Sequence, residues 1–333
     1  MRIFRVFRSG RLFPVFALLL SVMCLAPNGW AQNSTASVLG SVVDPSGAKV
    51  PGARLVLTNV DTNVQRVTVS NNTGDYNFVQ VPPAHYKLTI SAQGFDTQKI
   101  NTFDVAVAQS VEINVKMKIG EAGTSVTVDA VGTQVETTTS QLGTVIGTKE
   151  VNDLPLNGRN FTQLLVLTPG ASPVNVGQNA GSSNTANYQN DQYVIPAVNG
   201  QSSRSNLFLV DGLNDNNSWY NTYSVPPIID TIQEFKINTH NDAQYGQVTG
   251  GVINVASKAG TNTLHGSAWE FLRNNDFDAP TRFVSASNLY HQNQFGAQSG
   301  GPIVIPKLYN GQNKTFFEVG FEGFHYSKAS QSY

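Results

Sequence analysis

The chain has 333 residues, 21 basic and 22 acidic side chains, a formal net charge of −1 and a single cysteine. Only 13% of the residues are charged, so no basic surface for nucleic acid is expected, and one thiol excludes a disulfide scaffold. The 29 glycines, with heavy use of Asn, Thr, Ser and Val, favour strands and turns over helices.

Arg2, Arg5, Arg8 and Arg11 precede an almost wholly apolar run at 12–26, followed by Pro27-Asn28-Gly29 and Trp30-Ala31. This is the charged, apolar and small-residue order of an export signal, expected to be cleaved so that 1–31 is removed. The apolar run is shorter than the ~20 residues of a membrane-spanning helix. Cys24 lies inside it, so the exported chain carries no cysteine and must be stable through core burial and strand pairing. Without those four arginines, 17 basic residues face 22 acidic ones, a net charge of −5.

Residues 34–118 read as one β-sandwich. Alternating runs at 37–43, 54–59, 63–70, 75–79, 85–91 and 109–117 are separated by turn chemistry such as Asp44-Pro45-Ser46-Gly47 and Asn71-Asn72-Thr73-Gly74. Residues 120–147 are polar and read as a linker with one extended piece, 125–128. A short helix is expected to open at Thr148 and end at Pro155. A second, 161–167, has its N-cap in Asn157-Gly158-Arg159-Asn160 and an apolar stripe of Phe161, Leu164, Leu165 and Leu167. Residues 171–192 read as a long surface loop. The next pair of strands is 195–199 with 205–210, closed by Asp211-Gly212, and a second polar loop runs from Asp215 to Pro226-Pro227. Ile228, Ile229, Ile232 and Phe235 have helical spacing, so 228–235 is expected as a short helix, before strands at 236–239 and 251–257. The region 122–258 is thus a mixed α/β globule.

Three longer ribbons follow in 262–333. In 264–273 the faces are ambiguous, because Trp269 and Phe271 share a side with His265 and Arg273. In 293–305, Phe295, Ala297, Ile303 and Ile305 oppose Gln294 and Gln298. In 316–326, Phe317, Val319, Phe321 and Gly323 oppose Glu318, Gly320 and Glu322. Behind an export signal, a ribbon with one apolar and one polar face fits a barrel wall with hydrocarbon outside and water inside, and the two glutamates are expected to face water. Three strands cannot close a barrel, so the expectation is the front end of a larger outer-membrane protein, truncated at Tyr333.

No catalytic or metal constellation emerges. His85, His240, His265, His291 and His325 are far apart without a second ligand at metal-site spacing, and no phosphate loop, serine elbow or cysteine nucleophile is present. Asp211-Gly212-Leu213-Asn214-Asp215 lacks the alternating acids of a calcium loop. The expectation is no enzyme, no cofactor and no metal.

Several motifs carry a resemblance. Asp153-Leu154-Pro155-Leu156-Asn157-Gly158-Arg159-Asn160-Phe161, Asn199-Gly200-Gln201-Ser202-Ser203-Arg204 with Leu209-Val210-Asp211-Gly212, and Gly250-Gly251-Val252-Ile253-Asn254-Val255 resemble the plug domain of TonB-dependent outer-membrane receptors, especially the Oar-like branch. Asn293-Gln294-Phe295-Gly296 and Gly300-Gly301-Pro302-Ile303 are similar to that family's first barrel strands. Val50-Pro51-Gly52-Ala53 and Gly74-Asp75-Tyr76-Asn77-Phe78 resemble a carboxypeptidase-regulatory-like, Cna-B-type domain of the carbohydrate-binding-like superfamily. The resemblance implies a mainly β protein: an N-terminal sandwich, an α/β plug at 122–258 and the first strands of an incomplete transmembrane barrel. It implies an outer-membrane location with the sandwich in the periplasm, contact with outer-membrane lipid, and energised uptake of a bulky ligand, carbohydrate or peptide. It also implies a periplasmic TonB-type energy transducer as partner. Ser125, Val126, Thr127, Val128, Asp129 and Ala130 resemble the TonB box, the extended segment to which that transducer adds a strand. A linker strand or first plug strand remains the other reading of those residues. For the whole chain, a secreted or surface adhesin with a carbohydrate-binding sandwich remains the other reading.

Overall fold

The computed structural model describes residues 36–120, 125–128, 141–172 except 155, 157 and 158, 196–277 except 219, 220, 222, 242 and 247, and 290–328. The export signal expected at 1–31 lies outside the described residues, as do Asp129 and Ala130.

The first region is a sandwich of two sheets. It contains β1 (Ala36–Val43), β2 (Arg54–Asn59), β3 (Gln65–Val69), β4 (Asp75–Val81), β5 (Ala84–Ser91), β6 (Thr97–Val105), β7 (Ser110–Glu112), β8 (Val115–Lys116) and β9 (Ser125–Val128). In one sheet β1 lies between antiparallel β4 and parallel β7, with β8 continuing alongside β1. The other has the order β3-β2-β5-β6-β9. Alternation does the folding: Val38 and Val42 of β1 face Leu55, Leu57, Leu88 and Ile90 of the second sheet in one buried cluster. Each such side chain contributes about 1.5–3 kcal/mol by leaving water. The turns behave as their residues dictate. Asp44 Oδ1 accepts from the N–H groups of Ser46 (2.8 Å) and Ala48 (2.9 Å), and Gly47 takes φ +88°, which a side chain would disfavour.

Two differences from the sequence expectation concern this region. β6 was not anticipated, because Thr97, Lys99, Asn101 and Asp104 dilute the buried Ile100, Phe103 and Val105. The single strand expected at 109–117 is divided into β7 and β8. Between them Ile113 accepts from Tyr76 OH at 2.8 Å, and a Cβ on Gly40 would lie 2.0 Å from that same carbonyl oxygen. Gly40→Ala is therefore expected to cost about 1–3 kcal/mol through backbone displacement. Calorimetry of the variant should show a lowered sandwich transition, and an unaltered one refutes the close approach.

The central region holds β10 (Leu142–Ile146), α1 (Thr148–Asp153), β11 (Ala171–Ser172), β12 (Ala197–Val198), β13 (Leu207–Val210), β14 (Leu213–Asn214), β15 (Ile232–His240) and β16 (Val252–Ser257). Its main sheet has the order β10-β15-β16-β13-β14, with β13 parallel to β16. Phe161–Leu167 is a 3-10 helix capped as expected, the Asn160 side chain accepting from Thr162 N–H. Phe161, Leu164 and Leu165 close one face of the sheet over Phe208, Phe235, Ile237 and Ile253.

Three expectations are corrected here. The helix at 228–235 is a 3-10 turn, Ile229–Thr231, followed by strand β15. A register shift between Ile232 and Glu234 puts Ile232 and Phe235, three positions apart, in one core with Ile237, so the start of the strand has helical spacing. The stretch 142–146, read as linker, is strand β10, paired with β15. The strand at 195–199 does not pair with 205–210; β12 pairs with β11, and β13 pairs with β14 and β16.

The third region is a wall of three long antiparallel strands, β17 (His265–Asn274), β18 (Tyr290–Pro302) and, after a small hairpin of β19 (Val304–Ile305) and β20 (Tyr309–Asn310), β21 (Phe316–Lys328). β18 and β21 are each 13 residues long, more than the ~9–11 that a tilted strand needs to cross a bilayer. The faces of β18 and β21 are those expected, but the ribbon expected at 293–305 ends at Pro302, which cannot donate to a ladder, and Ile305 belongs to the β19–β20 hairpin. Leu272, Phe295, Val319 and Phe321 are exposed on one side, and Gln292, Gln294 and Gln298 are buried on the other.

Candidate functional site: a polar clamp between central sheet and wall

The inward face of the wall meets the central region around Arg159. This residue sits at φ +52° just before the 3-10 helix, so its side chain leaves the central region and reaches the wall. Its guanidinium pairs with Asp230 of the Ile229–Thr231 turn, and its Nε lies 3.8 Å from Glu322 Oε2 on β21. It also lies 5.4 Å from the Trp269 ring centroid and 4.5 Å from that of Phe271, both on β17. A cation against two aromatic rings and between two carboxylates is held from four directions. The ambiguous faces of β17 are thereby decided: Trp269 and Phe271 point inward, with His265.

Next along β21, Gly320 presses on the central region, where an added Cβ would lie 2.4 Å from Thr231 Cγ2. On either side of it, Glu318 Oε1 accepts from Gln298 Nε2 at 2.6 Å and Glu322 Oε1 accepts from Gln294 Nε2 at 2.9 Å. His265 Nε2 lies 3.3 Å from Glu318 Oε2. The side chains of Glu318 and Glu322 are only 12% and 19% exposed, so the expectation that they face water is corrected: they face protein. Beside them a cavity of about 350 Å³ is bordered by Val210, Val225, Pro226, Ile228 and Gly320, with Asp215 as its acid. Burial pushes that carboxyl above its usual range, and its Oδ2 is buried without a hydrogen-bond partner.

On its other face the central sheet carries the sandwich. The loop between β6 and β7 lies against β15: Val107 N–H donates to Glu234, and Lys236 Nζ donates to Ala108 O at 2.9 Å. Gln233 Nε2 donates to Pro83 O at 3.1 Å. The sandwich also meets the β18–β21 connection, where Asn63 Nδ2 donates to Asn313 Oδ1 at 2.9 Å. None of these contacts was anticipated from the sequence; Gln233 and Glu234 fell in the expected helix and Lys236 in the strand expected after it.

Glu234 makes this docking pH-dependent. Burial raises its carboxyl above the usual value, while the hydrogen bond from Val107 pulls the other way. A raised folded-state value means the docked form binds more protons between the unfolded and folded values. Docking is therefore strongest below that window and weakens as pH rises through it. Cleavage of the loop at 106–109 by added protease is expected to be slower at about pH 5 than at about pH 8. Glu234→Gln, which keeps an acceptor without the charge, should flatten that profile; a variant with the original profile refutes the assignment.

Of the six residues resembling a partner-binding box, Ser125, Val126, Thr127 and Val128 form β9, which pairs in parallel with Thr97, Gln98, Lys99 and Ile100 of β6. The sequence reading had placed that segment with the central region. The structure gives it to a sandwich sheet.

Comparison with known proteins agrees with this geometry at both ends. Residues 37–118 match the carboxypeptidase regulatory-like domain family, and residues 256–333 match the outer membrane beta barrel domain family. The chain is 26% identical over 299 residues to the TonB-dependent transporter Oar of Myxococcus xanthus, covering 84% of this chain and 26% of that protein. It thus spans about a quarter of the length of that curated relative. Solved structures share only local likeness. A catechol 1,2-dioxygenase from an Acinetobacter species aligns with TM-score 0.21 at 12% identity over 31% of this chain and 61% of its own. The BcpA major pilin subunit of Bacillus cereus aligns with TM-score 0.23 at 14% identity over 26% of this chain and 30% of its own. Neither carries an argument. The chain is thus similar, in this order, to a carboxypeptidase regulatory-like domain and an outer membrane beta barrel domain, and across most of its length to part of a TonB-dependent transporter.

Proposed function

We propose that this chain serves energised uptake of a bulky ligand, carbohydrate or peptide, across an outer membrane, as a transporter and not an enzyme. The observation that carries the reading is the two-faced wall. Its outer side exposes Leu272, Phe295, Val319 and Phe321, as hydrocarbon requires, and its inner side is occupied by a polar α/β region instead of water. In this reading the region 122–258 is a plug, and the Arg159 clamp holds it in the lumen. The sandwich contacts the 303–315 connection at the end of the wall where the chain passes from the central region into β17. In this reading the sandwich is periplasmic, on a chain exported by a cleaved signal at 1–31.

The partner is a TonB-type transducer acting on the segment that begins at Ser125, by strand addition. The adhesin reading is set aside because the sandwich is docked on the central sheet through Val107 and Ala108.

Deleting the gene, and separately the transducer genes, and scoring uptake of fluorescent oligosaccharides and peptides tests the proposal. Uptake of one class should fall in both strains. A ligand imported equally well without the transducer overturns it.

A further inference from the structure

We propose that the sandwich forms part of the transducer's docking edge: β9 stays paired on β6, and the incoming strand adds to the outer edge of β9. This rests on the reading of the segment at Ser125 as the transducer's contact, and deepens it.

Three observations carry the inference. The register is continuous, with Thr97 opposite Ser125 and Ile100 opposite Val128, so the segment is a regular parallel strand. The sheet order ends at β9, and its other edge has no strand among the described residues. The chain is also led to this place. Asp96 N–H donates to Lys118 O at 2.9 Å, Phe95 and Ile119 form a bridge, and Gly120 N–H donates to Gly94 O at 3.4 Å. Residues 118–120 thus run antiparallel beside 94–96, and from Ser125 the chain runs in parallel beside 97–100.

Along a strand, successive backbone groups point alternately to its two edges. β9 can therefore hold β6 with one set and a guest strand with the other. A loose segment loses about 1–2 kcal/mol of conformational freedom per residue when it is ordered. Here β6 has already ordered four residues, so the transducer meets a formed edge. The sandwich is itself bound to β15 through Glu234 and Lys236, which fixes that edge relative to the central sheet.

The test uses the full chain in detergent with the purified periplasmic domain of a TonB-type transducer as probe. The facing pair Lys99→Cys and Thr127→Cys, in a Cys24→Ser background, locks β9 to β6 when oxidised. Affinity for the probe is expected to be equal or tighter in the oxidised form. Hydrogen exchange should show 97–100 still protected in the complex while 125–128 gains protection. A tenfold or greater loss on oxidation that a reductant reverses, or deprotection of 97–100 on binding, overturns the inference and leaves the contact itself standing. The double variant Val126→Pro, Thr127→Pro removes an N–H from each edge and should abolish binding. Unchanged binding of that variant overturns both the contact and the inference.

Discussion

Arg159→Ala is expected to release the central region from the wall. The substitution leaves Asp230 and Glu322, whose side chains are 18% and 19% exposed, facing each other's neighbourhood without their shared cation. Breaking a buried pair by removing one partner costs about 3–5 kcal/mol, and the residual solvent here lowers that to roughly 2–3 kcal/mol. The loss includes the stacking on Trp269 and Phe271. Arg159→Lys should recover only part, because an ammonium restores charge but cannot lie as a plane against two rings while reaching two carboxylates. Thermal unfolding and protease cleavage within 228–231 measure the effect. Equal transitions and equal cleavage in wild type, Ala and Lys variants rule out a clamp.

Val319→Arg and Phe321→Arg are expected to block assembly into the outer membrane. Both positions are exposed in the folded chain, at 60% and 64%, so in water either change would be nearly neutral. If hydrocarbon covers that face, each arginine costs about 2–4 kcal/mol near the bilayer midplane. Val79→Arg is the control, since Val79 is equally exposed, at 60%, but belongs to the sandwich. The amount of chain recovered in the outer-membrane fraction is the readout. Normal assembly of both wall variants sinks the lipid-facing assignment, and failure of the control would point to a general export defect.

The Arg159 variant weakens an inner contact and the wall variants load an outer one, so together they separate the two faces of one sheet. The pH profile of Glu234 probes a third surface, where the sandwich meets β15.

Alternation and turn chemistry were sufficient to read the sandwich from residue identities. Val38 and Val42 before Asp44-Pro45-Ser46-Gly47, and Leu55 and Leu57 between that turn and Asn71-Asn72-Thr73-Gly74, keep period two, and all four are buried. The same period sorted Phe317, Val319 and Phe321 from Glu318 and Glu322, because a strand with unlike surroundings on its two sides writes that difference into successive residues. The Asn160 cap was likewise legible, since capping is local. Tertiary structure alone decided the rest. β15 imitates a helix at its start because the irregularity between Ile232 and Glu234 places Ile232 and Phe235, three positions apart, in one core, while its other face carries Lys236 to Ala108 O, far away in the chain. The orientation of Trp269 and Phe271 awaited a guanidinium more than a hundred positions earlier, and Glu318 and Glu322 meet protein because the central region fills the space inside the wall. β9 showed alternation but no partner until Thr97–Val105 was in place beside it. A periodic pattern reports that one side of an element is apolar; which distant segment covers the other side depends on chain topology, which leaves no local mark.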